Sequence, residues 1–131
     1  MKYRLMDLLA CPICKNFPLK LYVFNVRKVS RDVRGISKPY CELYCGYHAK
    51  YVRNLTEFKC DECIKLEIES GLLHCSKCGR WYPIEDDIPR MLPDNLRNRD
   101  EDLKFLLRYR NRIPSEILEY GKPFNLSKGG I

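Results

Sequence analysis

The sequence predicts a small α+β zinc protein, an antiparallel sheet beside cysteine clusters with helices toward its C-terminal end. Three observations predict it. Eight cysteines fall into four short pairs, Cys11/Cys14, Cys41/Cys45, Cys60/Cys63 and Cys75/Cys78. Two stretches, 19–26 and 64–69, alternate apolar and polar residues as half-buried strands do. Residues 99–112 instead place Leu103, Leu106 and Leu107 at helical spacing.

In chain order, residues 5–10 are expected to form a short helix with Leu5, Leu8 and Leu9 on one side, leading into Cys11-Pro12-Ile13-Cys14. Residues 19–26 are β-branched and aromatic, hence a strand. The stretch 27–38 loses the apolar pattern and carries five basic residues against one acidic. Residues 40–63 hold the two middle pairs, with His48 between them. In 64–69, Ile64, Leu66 and Ile68 are expected to face inward, and Ser70-Gly71 to turn the chain. Leu72-Leu73-His74 then enters the last cysteine pair and Arg80–Ile84 leaves it as a strand. Pro89 and Pro93 lack amide donors, so 88–93 belongs on a sheet edge or in an extended arm. In 99–112, Asp100, Glu101 and Asp102 suit the positive end of a helix dipole, and Arg108, Arg110 and Arg112 the negative end. Phe105 and Tyr109 lie off the Leu103/Leu107 face, free to reach a partner. Ser115–Tyr120 is a second short helix ended by Gly121, and 122–131 a loose tail.

A chain of 131 residues is one compact domain, or one with an insertion. Leu, Ile, Val and Phe make up about 27% of it, enough for a small core. No apolar run approaches the roughly 20 residues of a membrane span. Lys2, Arg4 and Asp7 interrupt the apolar start, so a secretion signal is not expected and a cytoplasmic location is. The formal charge is +7 with all thiols neutral. Eight thiolates holding two divalent ions would subtract four, leaving about +3. The basic excess is concentrated in 27–38 and 104–112, either of which could be a solvated face or meet RNA.

Cysteines in such a chain are metal ligands before they are disulfides. A Cys-x2-Cys loop places two sulfurs on one side of a tight turn, half of a tetrahedral zinc site. Gly46 and Gly79 each follow the second cysteine of a pair, where glycine lets the chain turn back beneath the metal. Four pairs make two sites in three ways: sequential, crossed or nested. Spacing favours the sequential and nested ways and does not choose between them. His48 is a candidate spare ligand, and His74 a group behind the metal or at the surface. Four thiolates leave zinc no open position, which makes such a site structural. No phosphate loop and no nucleophile–base arrangement stands out, so no catalytic residue is expected.

Leu8-Leu9-Ala10-Cys11-Pro12-Ile13-Cys14, followed much later by Gly71-Leu72-Leu73-His74-Cys75-Ser76-Lys77-Cys78-Gly79-Arg80-Trp81-Tyr82-Pro83-Ile84 and by Asp86-Asp87-Ile88-Pro89-Arg90-Met91-Leu92, resembles the multifunctional methyltransferase subunit family. These are small zinc-ribbon proteins that hold and activate Rossmann-fold, SAM-dependent methyltransferases acting on tRNA, rRNA and release factors. The resemblance covers 1–26 and 64–93. It implies a zinc-ribbon-like antiparallel sheet, discontinuous over those two stretches, with 27–63 an inserted lobe and 94–131 a C-terminal extension. It also implies nested pairing, with Cys11, Cys14, Cys75 and Cys78 around one zinc. Cys41, Cys45, Cys60 and Cys63 depart from the family pattern and are expected to hold a second zinc. Asp87 stands where the pattern usually has glycine. The layout looks archaeal.

The resemblance implies a non-catalytic subunit in a heterodimer with a methyltransferase, covering an apolar surface and extending the partner's sheet. Ile84, Ile88, Pro89, Met91 and Leu92 are the candidate partner contacts. Arg27, Lys28, Arg31 and Arg34 are candidate RNA-facing residues. The alternatives are a zinc ribbon that binds RNA or DNA directly, with Tyr22, Phe24, Tyr40 and Tyr44 as stacking groups, and a redox or metal-handling enzyme.

Overall fold

The computed structural model describes residues 1–31 and 40–127. A 3-10 helix, Tyr3–Asp7, precedes the first cysteine pair, and strand β1, Lys20–Lys28, follows it. The middle segment holds a small hairpin, β2 (Tyr44–Cys45) and β3 (Lys50–Tyr51), and one helical turn, α1 (Cys60–Cys63). Then come β4 (Leu66–His74), β5 (Trp81–Glu85) and β6 (Ile88–Pro89), and helices α2 (Arg99–Arg108) and α3 (Ser115–Tyr120). The main sheet of the described residues is antiparallel, in the order β1-β4-β5-β6. No helix among these residues is long and apolar enough to cross a membrane.

β4 is the central strand, buried from Ser70 to His74 because both faces of the sheet are covered. On one face Leu19, Ile68, Leu73, Tyr82 and Ile84 pack with Met1, Met6, Cys11 and Cys75. On the other, Phe24, Leu72 and Trp81 pack with Phe105, Leu106, Ile113 and Ile117 from the helical end of the chain. Paired bulges sort these side chains. The register runs Val23↔Gly71, Asn25↔Ser70, Val26↔Ile68, so Phe24 is extra in β1 and Glu69 extra in β4. The second bulge lets Ile68 and Leu73, an odd number of residues apart, share a face.

Several expectations change here. Ser70-Gly71 is strand, not turn. A Cβ on Gly71 would lie 2.5 Å from the Tyr22 carbonyl oxygen, so this glycine serves the close approach of β1. The actual turn is Asp86-Asp87, with φ of 51° and 68°, a two-residue loop between the paired Glu85 and Ile88. Aspartate adopts this left-handed backbone more readily than most residues. Ile64 follows α1 rather than opening a strand. In the N-terminal turn the buried residue is Met6, and Leu8 is exposed.

α2 buries Leu106 and packs Leu103 against the core as expected, but the rest of its inward face differs. Phe105 is 3% exposed and Leu107 is 49% exposed, the reverse of the sequence expectation. Phe105 stacks on Trp81, and Tyr109 stacks on Phe24. Both rings pack on this chain's own sheet, because the sheet face is aromatic and draws the aromatic side of the helix. Asn98 caps α2 by accepting from the Glu101 amide. The stretch after α3 is not loose as far as residue 127. Lys122 pairs beside Arg80, the Trp81 indole donates to the Phe124 carbonyl at 2.8 Å, and the Leu126 amide donates to Leu118.

Asp7 joins the N-terminal turn to the middle segment. Its carboxylate accepts the amides of Glu42, Leu43 and Tyr44 at 2.9, 2.8 and 2.8 Å. Burial opposes its ionisation, but these amides and Arg4 outweigh burial and hold the carboxyl below its ordinary value. The contribution is therefore complete above the ordinary carboxylate range and is lost as pH falls through the lowered value. Asp7→Ala is expected to destabilise the segment by about 2 kcal/mol and to remove that acid step, read by amide hydrogen exchange at residues 42–44.

Candidate metal centre and partner edge

Two matching turns build the first cluster. In one, the Cys11 amide donates to the Asn16 carbonyl and the Lys15 amide returns to Cys11. In the other, the Cys75 amide donates to Arg80 and the Gly79 amide returns to Cys75. Lys15 and Gly79 hold the same place, with φ of 65° and 83°. Glycine 79 was legible in the sequence, but nothing in it marked Lys15 for a left-handed backbone. A Cβ on Gly79 would meet nothing within 4 Å, so Gly79→Ala isolates the backbone cost. A loss of about 1–2 kcal/mol in unfolding free energy is expected.

The antiparallel pairing of β1 with β4, which sets Lys20 opposite His74, brings the two turns together across the chain. The sulfurs of Cys11, Cys14, Cys75 and Cys78 all lie within 4.8 Å of one another. Cys11 Sγ is 3.7 Å from Cys78 Sγ, and Cys14 Sγ is 3.4 Å from Cys75 Sγ. Zinc–thiolate bonds of about 2.3 Å in a tetrahedron separate the sulfurs by about 3.8 Å, so the set fits zinc closely. All four thiols are free of disulfides. This is the nested set that the resemblance implied and that spacing alone left open.

The surroundings suit a bound cation. Burial opposes ionisation of Cys11, but the amides of Cys14 and Ile13 and the Tyr82 hydroxyl outweigh it and lower the thiol to about 6. The hydroxyl stands 3.3 Å from Cys11 Sγ. Cys75 goes the other way, pushed by burial up to about 12. Thiols this close cannot all ionise unless a cation sits among them. Arg80 grips Asp94 through Nε and a terminal nitrogen, at 2.9 and 2.8 Å, and also contacts Cys78. The metal turn is thereby tied to the chain beyond β6. Tyr82→Phe keeps the ring and removes the hydroxyl. It is expected to weaken zinc binding about tenfold or more, read by competition with a chelator.

The second set of cysteines is less tightly gathered. Cys41, Cys45, Cys60 and Cys63 are buried around a shared cavity, but their sulfurs do not close to the spacing of the first set. Burial and the neighbouring sulfurs push Cys41 up to about 11 and Cys63 up to about 12. His48 Nδ1 is 3.1 Å from Cys45 Sγ. His74 is buried and not in either set, and burial lowers its pKa.

The candidate partner residues divide. Ile84 is wholly buried in the core, so its side chain is not available to a partner. Met91 packs partly against that same core. Ile88 and Leu92 remain open, at 59% and 41% exposure, and Pro89 is half-buried on the edge strand β6. Leu96, not singled out from sequence, is exposed as well. Of the candidate RNA-facing residues, Arg27 pairs with Asp87, and Arg31 pairs with Glu67 at 2.6 Å. Lys28 is exposed at the end of β1, and Arg34 lies outside the described residues. Ion pairing thus occupies two groups that composition alone left available.

Among curated proteins none matches this chain. A family model described as Trm112p-like protein matches residues 2–87, roughly two thirds of the chain, spanning both halves of the four-cysteine cluster and the sheet between them. The chain belongs to the Trm112p-like family of multifunctional methyltransferase activator subunits.

Proposed function

We propose that this protein is a non-catalytic subunit that binds and stabilises SAM-dependent methyltransferases modifying tRNA, rRNA or a translation release factor, in the cytoplasm. The family match over residues 2–87 carries this reading. Zinc held by Cys11, Cys14, Cys75 and Cys78 supplies structure, because four thiolates leave no position for water or substrate. The chain's own contribution is a surface. β6 is the edge strand of the sheet, with no strand on its outer side among the described residues; Ile88 stands exposed on it and Leu92 just beyond its end. An apolar edge of this kind invites aggregation unless a partner strand covers it.

Expression of the tagged chain in its native cell, followed by identification of what co-purifies at moderate salt, tests the reading. A stoichiometric methyltransferase whose SAM affinity rises in the complex is expected. Recovery of RNA with no methyltransferase would sink it. Ile88→Asp with Leu92→Asp is expected to weaken the heterodimer at least tenfold while leaving the zinc content unchanged. Retention of full affinity would move the interface elsewhere on the surface.

A further inference from the structure

The segment 40–63 has almost no hydrophobic core of its own. Its buried residues are Cys41, Cys45, Gly46, Cys60 and Cys63, while Leu43 and Phe58 are exposed. Four of those five are cysteines, too little apolar surface to hold a lobe in one shape. All four line one partly open cavity of about 10 Å3, room for about one water-sized guest. Lys2, Arg4 and Lys59 line the same cavity.

We propose that Cys41, Cys45, Cys60 and Cys63 bind a second zinc ion, and that this ion is the core of the middle segment. Four thiols release four protons as the ion binds, and the resulting zinc tetrathiolate carries a charge of −2. Lys2, Arg4 and Lys59 are the cations that offset it. Two of the three come from the N-terminal segment, so the ion also holds the lobe against the 3-10 helix. Asp7 reinforces that contact through the three amides it accepts. His48 is not a ligand in this arrangement. It lies against the Cys45 sulfur through Nδ1 and donates to the thiolate, which fixes that ligand's orientation. Its Nε2 is buried with no hydrogen-bond partner among the described residues. The sulfurs stand further apart than in the first cluster, and binding draws them in. This inference is independent of which partner the protein serves.

The test is zinc per chain in the full-length protein after dialysis, with Trp81 fluorescence as a separate reporter of the sheet. Two ions are expected in the natural chain, and one in C60S/C63S with the Trp81 signal retained. H48A is expected to keep two ions and to lose one of them to a chelator about tenfold faster. A natural chain that holds one ion overturns the proposal, as does a count of two that C60S/C63S leaves unchanged. Loss of the second ion in H48A overturns the four-thiolate set. Thiol alkylation of the natural chain, mapped by peptide, does not depend on how any variant folds. Cys41, Cys45, Cys60 and Cys63 should resist alkylation in zinc and react after chelation. Equal reactivity in both states, or recovery of these residues as disulfides, overturns it.

Discussion

Removal of the metal from the Cys11, Cys14, Cys75 and Cys78 cluster is expected to unfold the sheet. Structural zinc sites contribute about 10–16 kcal/mol of apparent folding free energy in small domains, and a domain's whole stability is about 5–15 kcal/mol. Here the ligands are 61 and 67 residues apart across the close sulfur pairs, so the ion closes a loop of about half the chain. Cys11 and Cys75 are also wholly buried within the core beside Ile68, Leu73 and Tyr82. Emptying the site would leave competing thiols in that core. Cys75→Ser separates this effect from loss of any second ion. Trp81 fluorescence and circular dichroism should report an unfolded chain for Cys75→Ser, against a folded sheet for C60S/C63S. A cooperative native transition in Cys75→Ser would refute the role assigned to the cluster. Acid should act like chelation, because protonated thiols do not hold zinc.

Trp81→Ala is expected to cost about 3–5 kcal/mol, the usual range for a large buried aromatic. Trp81 is the single tryptophan and has no exposed surface. Its ring stacks on Phe105 at 5.7 Å between centroids, and the Arg97 guanidinium lies 4.7 Å over it. Arg97 donates to the Trp81 carbonyl and to Asp102 of α2, both at 2.8 Å. One side chain therefore joins β5 to α2, to the approach to α2 and to the Phe124 carbonyl. The variant should shift the urea midpoint while leaving the first zinc site occupied. Raised hydrogen exchange should be confined to residues 99–127. A loss below about 1 kcal/mol would mean that the C-terminal helices are held by something other than this face.

The amino-acid sequence by itself determined the chemistry and the local structure. Cysteine pairs at two-residue spacing specify thiolate ligation wherever they sit. The alternation in β1, the acidic start of α2 and the stop at Gly121 act over a few residues, so the chain displays them directly. The tertiary structure decided what depends on distant partners. Spacing left sequential and nested cysteine sets equally open, and the β1–β4 pairing joined Cys11 and Cys14 to Cys75 and Cys78. Ile84 looked available beside Ile88 but faces the core, because the edge of the sheet begins one strand later. Phe105 rather than Leu107 turned inward, because helix periodicity defines two candidate stripes and only the aromatic sheet face selects between them. Gly71 signals a turn in isolation and a close approach in context. In each case the deciding energy comes from burial against residues far away in sequence, which no local pattern encodes.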